Sequence, residues 1–241
     1  MYDGLIKLIM SKVEIVPAIL PKSFNDLEKH VALVHEGAHA IQIDVVDGRF
    51  AHNKTWPYHD RESFDKIIKE EHGLPFWDDL DYEFDLMIED PHMSALDFVH
   101  AGASRVIVHA NAHGAVEGLH ALAELREETG AYSITTGIAL QPQMQPDVLD
   151  SFDTLYDYVQ VMGIEHEGFQ GQSFDHHAIP LIERLRRRYP DLLIQVDGAV
   201  KIENAYALAQ AGANRLIVGS GLFKADDPLR AFADMKAEAN R

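Results

Sequence analysis

The chain has 241 residues, 46% of them hydrophobic, and a formal net charge of −18. That is enough apolar material for one large α/β core, and the negative field argues against nucleic acid or an anionic membrane as a partner. The absence of cysteine excludes disulfides, thiolate nucleophiles and Cys-ligated metals and fits a cytoplasmic protein, while no apolar run approaches the ~18 residues that would span a bilayer.

Residues 1–12, MYDGLIKLIMSK, read as an N-terminal tail or short helix outside the main domain. Asp3 and Lys7 flank or interrupt its apolar patch and no small-residue cleavage site follows, so it is not read as a signal peptide. From Val13 onward, short β-branched runs alternate with longer amphipathic stretches. Val13–Ala18 is the first strand, and Ser23 is placed to cap the helix that carries Leu27, Val31 and Val34. Ala40–Val45 is the second strand, with Ile41, Ile43 and Val45 on one face and Gln42, Asp44 and Val46 on the other. A polar, aromatic loop then leads into a helix around Arg61–Glu71.

Tyr82–Ile88, Arg105–Ala110, Gly137–Leu140, Tyr158–Gly163, Leu193–Val196 and Arg215–Val218 are the remaining strands. Helices are expected after Pro91, at about 115–128, as a short piece before Tyr158, at about 178–188, over 204–211 and after Pro228. Gly37, Gly102, Gly130 and Gly212 each sit where a helix would close just ahead of a strand. Eight strand–helix units with no linker predict a single (β/α)8 TIM barrel over residues 13–241.

In such a barrel the chemistry gathers at the C-terminal ends of the strands. Those ends carry Gln42, Asp44 and Asp47 on strand two, Asp85 and Met87 on strand three, His109 on strand four and Met162 on strand six. Asp197 and Gly198 end strand seven, and Gly219 and Ser220 follow strand eight. Asp44 and Asp197 suit a two-base proton transfer, one carboxylate taking a proton from carbon and the other delivering one to the opposite face. Asp47, just before Gly48, reads instead as a turn residue. Gly168, Gly171, Gly198, Gly219 and Ser220 come from the loops after strands six, seven and eight, where barrels bind phosphate through backbone N–H groups. Of the 14 histidines, only His52, His109 and His166 fall near strand ends or active-face loops.

Several phrases, VPAIL (16–20), IDVVDGRF (43–50), DLMIEDP (85–91), GFQGQSF (168–174), QVDGAV (195–200) and IVGSGLFKADDP (217–228), resemble those of the ribulose-phosphate 3-epimerases. The resemblance runs from about Val13 to Phe232. It implies a metal-assisted proton shuttle at carbon 3 of a ketopentose 5-phosphate, with Asp44 and Asp197 as the acid/base pair. It places the phosphate grip on Gly168, Phe169, Gln170, Gly171, Gly198, Ala199, Gly219 and Ser220. The family's metal is held by two histidines and those two aspartates; here Gln42 and Asp85 stand where the histidines are expected. Ala18 replaces a serine, Val46 a methionine and Ala199 a glycine, and the loop after strand six is one residue longer and more acidic.

Imidazole suits Zn and Fe, whereas carboxylate and amide oxygens suit harder ions. Gln42, Asp44, Asp85 and Asp197 are therefore the expected ligand set for a divalent metal, Mg or Mn rather than Zn or Fe; the opposing reading is that no metal binds and the carboxylates shift their pKa upward. Two other functional readings stand beside the epimerase. One is a phosphate-binding barrel lyase using an oxygen-ligated Mg, although the lysine such enzymes carry on strand three is missing from Asp85–Asp90. The other is a non-catalytic sugar-phosphate binder. The expected partners are a small-molecule sugar phosphate and further copies of the chain, with no nucleic acid or membrane.

Overall fold

A computed structural model describes residues 12–129, 134–152, 154–169 and 171–241; all but the last residue of the expected N-terminal tail lies outside them, as do Gly130 and Gln170. Eight parallel strands close in sequence order into one barrel: β1 (Glu14–Ile19), β2 (Ala40–Val46), β3 (Asp81–Met87), β4 (Ala103–His109), β5 (Thr135–Leu140), β6 (Tyr158–Met162), β7 (Leu193–Asp197) and β8 (Arg215–Val218). The helices are α1 (Phe24–Ala32), α2 (Arg61–Ile68), α3 (Ala95–His100), α4 (Ala115–Thr129), α5 (Ala178–Arg188), α6 (Ile202–Ala211), α7 (Ser220–Phe223) and α8 (Pro228–Ala239). The expected (β/α)8 TIM barrel is the observed one. Among the described residues no helix is long and apolar enough to cross a membrane.

Local signals account for most boundaries. Ser23 caps α1 by accepting from the Asp26 amide, and Asp60 and Asp227 cap α2 and α8 in the same way. Gly102 and Gly212 take the left-handed conformation (φ +99° and +118°) that ends α3 and α6. Gly37 does not, because α1 has already closed at Leu33, whose amide bonds back to the His30 and Val31 carbonyls. The segment after Pro91 breaks into a 3-10 turn (Pro91–Met93) and the short α3, and a 3-10 helix, Pro146–Phe152, takes the place of an α-helix between β5 and β6. The Gly-Ser-Gly stretch after β8, expected only as a loop, carries the additional short helix α7.

Period-two alternation divides the strands between two compartments. Ile41, Ile43 and Val45 face outward, with Phe84, Leu86, Val106, Val108, Val159, Val161, Ile194 and Val196, into one large core shared with the helices. The inward side chains are unusually polar for such a barrel, whose interior is commonly filled by Val, Ile and Leu. Toward the N-terminal ends of the strands, Arg215 pairs with Glu83 at 2.6 Å and with Glu14 at 2.8 Å. Gln195 donates to Glu83 at 2.7 Å, and Tyr158 donates to the same carboxylate at 3.2 Å. Gly137 makes room for that tyrosine: a Cβ there would come within 2.5 Å of the ring.

Because Glu83 is wholly buried and Arg215 nearly so, removing one partner leaves an uncompensated charge. Arg215→Met is expected to lower stability by about 3–5 kcal/mol, and adding Glu83→Gln to recover part of that loss, as read by urea unfolding of the single and double variants. Equal loss in both proteins would show that the charge pair is not what holds this layer.

Candidate active site

Strand register assembles the site. Asp44 of β2 lies directly beside Asp85 of β3, and Asp197 of β7 pairs with Met162 of β6. Since Gln42 and Asp44 share the inward face of β2, as Asp85 does on β3, the carboxylates converge in the barrel mouth rather than spreading over its rim. Asp44, Asp85 and Asp197 each offer an oxygen, all within 4.8 Å of one another, and all three are buried.

Neutral donors hold them there. The Gln42 amide nitrogen donates to Asp44 Oδ1 at 2.9 Å and to Asp197 Oδ2 at 3.2 Å. Its carbonyl oxygen faces the other way and accepts from Gln195 at 3.2 Å. Gln42 therefore bridges the two carboxylates as a donor and turns its oxygen away from them. Asp85 accepts from Gln160 at 2.9 Å and lies 2.9 Å from His109 Nε2. The far side of that imidazole, Nδ1, has no hydrogen-bond partner among the described residues; Glu167 lies 3.9 Å from it and itself accepts from Gln141 at 3.0 Å.

This crowding moves the titrations. Burial, then the charges of Asp197 and Asp85, push Asp44 well above the ordinary carboxylate value, against the pull of the Gln42 hydrogen bond. Burial and the charge of Asp85 raise Asp197 to about 7, partly offset by Gln42 and the Gly198 amide. Burial disfavours the charged form of His109, but the Asp85 charge and hydrogen bond, reinforced by Glu167 and Asp197, outweigh it and raise the imidazole above its ordinary value.

Above the carboxylates lies a narrow cavity of about 50 Å³. Asp44 and Asp197 line it together with Gly168, Phe169, Gly171, Gly198, Ala199, Gly219 and Ser220, and Met87 and Met162 add thioethers beside the acids. Gln170 lies outside the described residues. Gly198 (φ +102°) and Ala199 (φ +52°) are consecutive left-handed residues; the alanine holds that conformation at a cost of about 1–2 kcal/mol, in the turn that closes β7 over the cavity.

Asp47 is a turn-holder, as expected. It accepts from the Arg49 and Phe50 amides through one oxygen and from the Glu89 amide through the other. Three participants were not legible as site residues. Gln160 and Gln195 are inward polar residues on strands, a signal the same period-two reading carries, but their partners lie across the barrel. Thr55 comes from the polar loop: its hydroxyl donates to the Asp44 carbonyl at 2.9 Å and accepts from the Val46 amide at 2.8 Å, fixing the end of β2.

The three carboxylates fit a hard divalent cation. They form a buried, all-oxygen set whose mutual repulsion a cation would relieve.

Comparison with known proteins gives the same outline. The chain is 32% identical over 240 residues to ribulose-phosphate 3-epimerase of Candida glabrata, covering 96% of this chain and 94% of that protein. It is 33% identical over 231 residues to the enzyme of the same name from Bacillus subtilis, covering 93% and 98%. Among solved structures, 3-hexulose-6-phosphate synthase from Salmonella typhimurium superposes with a TM-score of 0.67 at 18% identity, over 94% of this chain and 98% of that one. The 3-keto-L-gulonate-6-phosphate decarboxylase from Vibrio cholerae does so at 0.71 and 14%, over 96% and 99%; these likenesses concern the fold. The model of the ribulose-phosphate 3 epimerase family matches residues 14–223, and the chain belongs to that family.

Proposed function

We propose that this protein is a ketose-phosphate 3-epimerase acting on ribulose 5-phosphate or a close relative, with Asp44 and Asp197 as its acid/base pair. The observation that carries the reading is that these two carboxylates, bridged by one Gln42 amide, form part of the wall of a cavity that glycine-bearing loops also line. A two-base proton transfer needs one carboxyl group protonated while the other is ionised. Burial and neighbouring carboxylates raise both acids, which favours a proton divided between them.

One aspartate removes the proton from carbon 3 and the other returns a proton to the opposite face, so the configuration inverts and each turnover reverses the protonation of the pair. Met87 and Met162 present apolar surface beside the reacting carbon and limit water there. Gly168, Phe169, Gly171, Gly198, Ala199, Gly219 and Ser220, with Gln170, form the proposed phosphate grip, in which glycine allows close approach of the backbone to the anion. Asp44, Asp85 and Asp197 would hold a divalent cation, Mg or Mn; Gln42, expected among the ligands, meets the acids through its amide nitrogen and gives its oxygen to Gln195. Such an ion supplies electrostatic stabilisation of the charge that develops on the substrate oxygens. His109 and Gln160 keep Asp85 aimed at that position.

The direct test is exchange in D2O. Ribulose 5-phosphate incubated with the protein and Mg or Mn should gain deuterium at carbon 3 and yield the epimer. Asp44→Asn and Asp197→Asn should each lose about 10²–10⁴-fold in rate. Absence of exchange by the wild-type protein with any divalent ion would sink the epimerase reading and leave a binding role.

The raised carboxylates also make a stability prediction. Asp197 has a folded-state pKa of about 7 against an ordinary 3.8, so the folded state binds its proton more tightly than the unfolded chain. Its contribution is fully present below the ordinary value and is lost as pH rises through about 7. In chelator, the melting temperature should therefore fall between pH 4 and 7 more steeply than that of Asp197→Asn. Added Mn should raise the melting temperature more at pH 8 than at pH 5, since the cation competes with protons for the same oxygens. Parallel pH profiles for wild type and variant would contradict this assignment.

A further inference from the structure

The phosphate grip, as described, contains no cation. Among its described lining residues the cavity has no lysine, arginine or histidine, and two of those residues are aspartates. A phosphate dianion would approach it against a formal protein charge of −18. Backbone amides alone would have to outweigh that field, and a nearby ammonium changes the balance.

Lys224 is placed to supply one. It follows the short α7, and its backbone amide donates to the Ser220 carbonyl at 3.3 Å, which anchors it to the loop after β8. Its side chain reaches the loop after β6: a Cβ on Gly171 would meet Lys224 Nζ at 3.8 Å. Gly171 and Ser220 both line the cavity, so the lysine spans two of the loops assigned to the phosphate. It is exposed, and its ammonium has no ion-pair partner among the described residues. Its ammonium lies toward the Gly171 stretch of the loop after β6. Lysine suits such a place as a mobile point charge on a flexible stem.

We propose that Lys224 is a phosphate-binding residue, closing over the substrate phosphate between the Gly171 and Ser220 loops and selecting phosphorylated over neutral sugars. The inference rests on the phosphate grip of the epimerase reading and adds to it the one cationic contact. Lysine, unlike a backbone amide, makes the affinity sensitive to salt.

Inorganic phosphate is the probe, measured by direct binding and by competition with ribulose 5-phosphate. Lys224→Met should weaken phosphate binding and raise KM roughly tenfold, the scale of one charge-assisted hydrogen bond, with kcat changed less than about twofold because the charge contacts a non-reacting group. Lys224→Arg should retain most of the affinity, and the gap between wild type and Lys224→Met should narrow as ionic strength rises. Lys236→Met, on the exposed side of α8, should bind phosphate as the wild type does. The proposal is overturned if Lys224→Met binds phosphate normally, or if Lys236→Met weakens binding by the same factor, which would make the effect one of general field. If the wild-type protein itself fails to bind phosphate, the phosphate grip fails first and this contact with it.

Discussion

Carboxylates on neighbouring strands of a closed barrel repel one another, and the inside of this molecule is arranged around that repulsion. Asp44 and Asp85 are register partners, Asp197 reaches the same point from β7, and all three are buried. Such a cluster is tolerable only if protons, hydrogen-bond donors or a cation answer it. The structure shows the donors: Gln42 to two of the acids, Gln160 to the third, with the His109 ring beside it. Both acids that share Gln42 have their pKa values pushed up, so protons answer part of what the donors leave uncompensated.

The same barrel solves a second electrostatic problem lower down by different means. Glu83 is answered by a full opposite charge, Arg215, and by Gln195 and Tyr158. Among the described residues no arginine or lysine pairs with the upper cluster. A fixed guanidinium there would hold both acids ionised and leave neither able to deliver a proton, whereas amides and an imidazole orient them without fixing their charge. The distinction between a layer neutralised permanently and a layer left adjustable is the physical basis for placing the chemistry at the strand C-termini.

Much of this was legible in the chain. Period-two alternation put Ile41, Ile43 and Val45 on one side and Gln42 and Asp44 on the other, and helix caps such as Ser23 and closers such as Gly102 and Gly212 marked the units well enough to count eight. Asp47 declared itself as a turn residue by preceding Gly48. What was not legible depends on contacts between distant strands. Nothing near Gln42 says that its nitrogen, and not its oxygen, meets the acids, because that choice is made by Gln195, 153 residues away. His109 looked ordinary until β3 placed Asp85 against it, and Thr55 holds β2 from a loop whose course no periodicity predicts. Gly37 had the right local phrase but no role as a left-handed closer, since the helix before it ends a turn early.

The buried triad is proposed as a cation site. Crystals grown with Mn and measured near its absorption edge give the most direct answer. The expected result is a single anomalous peak within bonding distance of oxygens from Asp44, Asp85 and Asp197, with Gln42, Gln160 and His109 arranged around them. No peak at the triad, in protein that binds substrate, would contradict it and would leave the carboxylates balanced by protons alone.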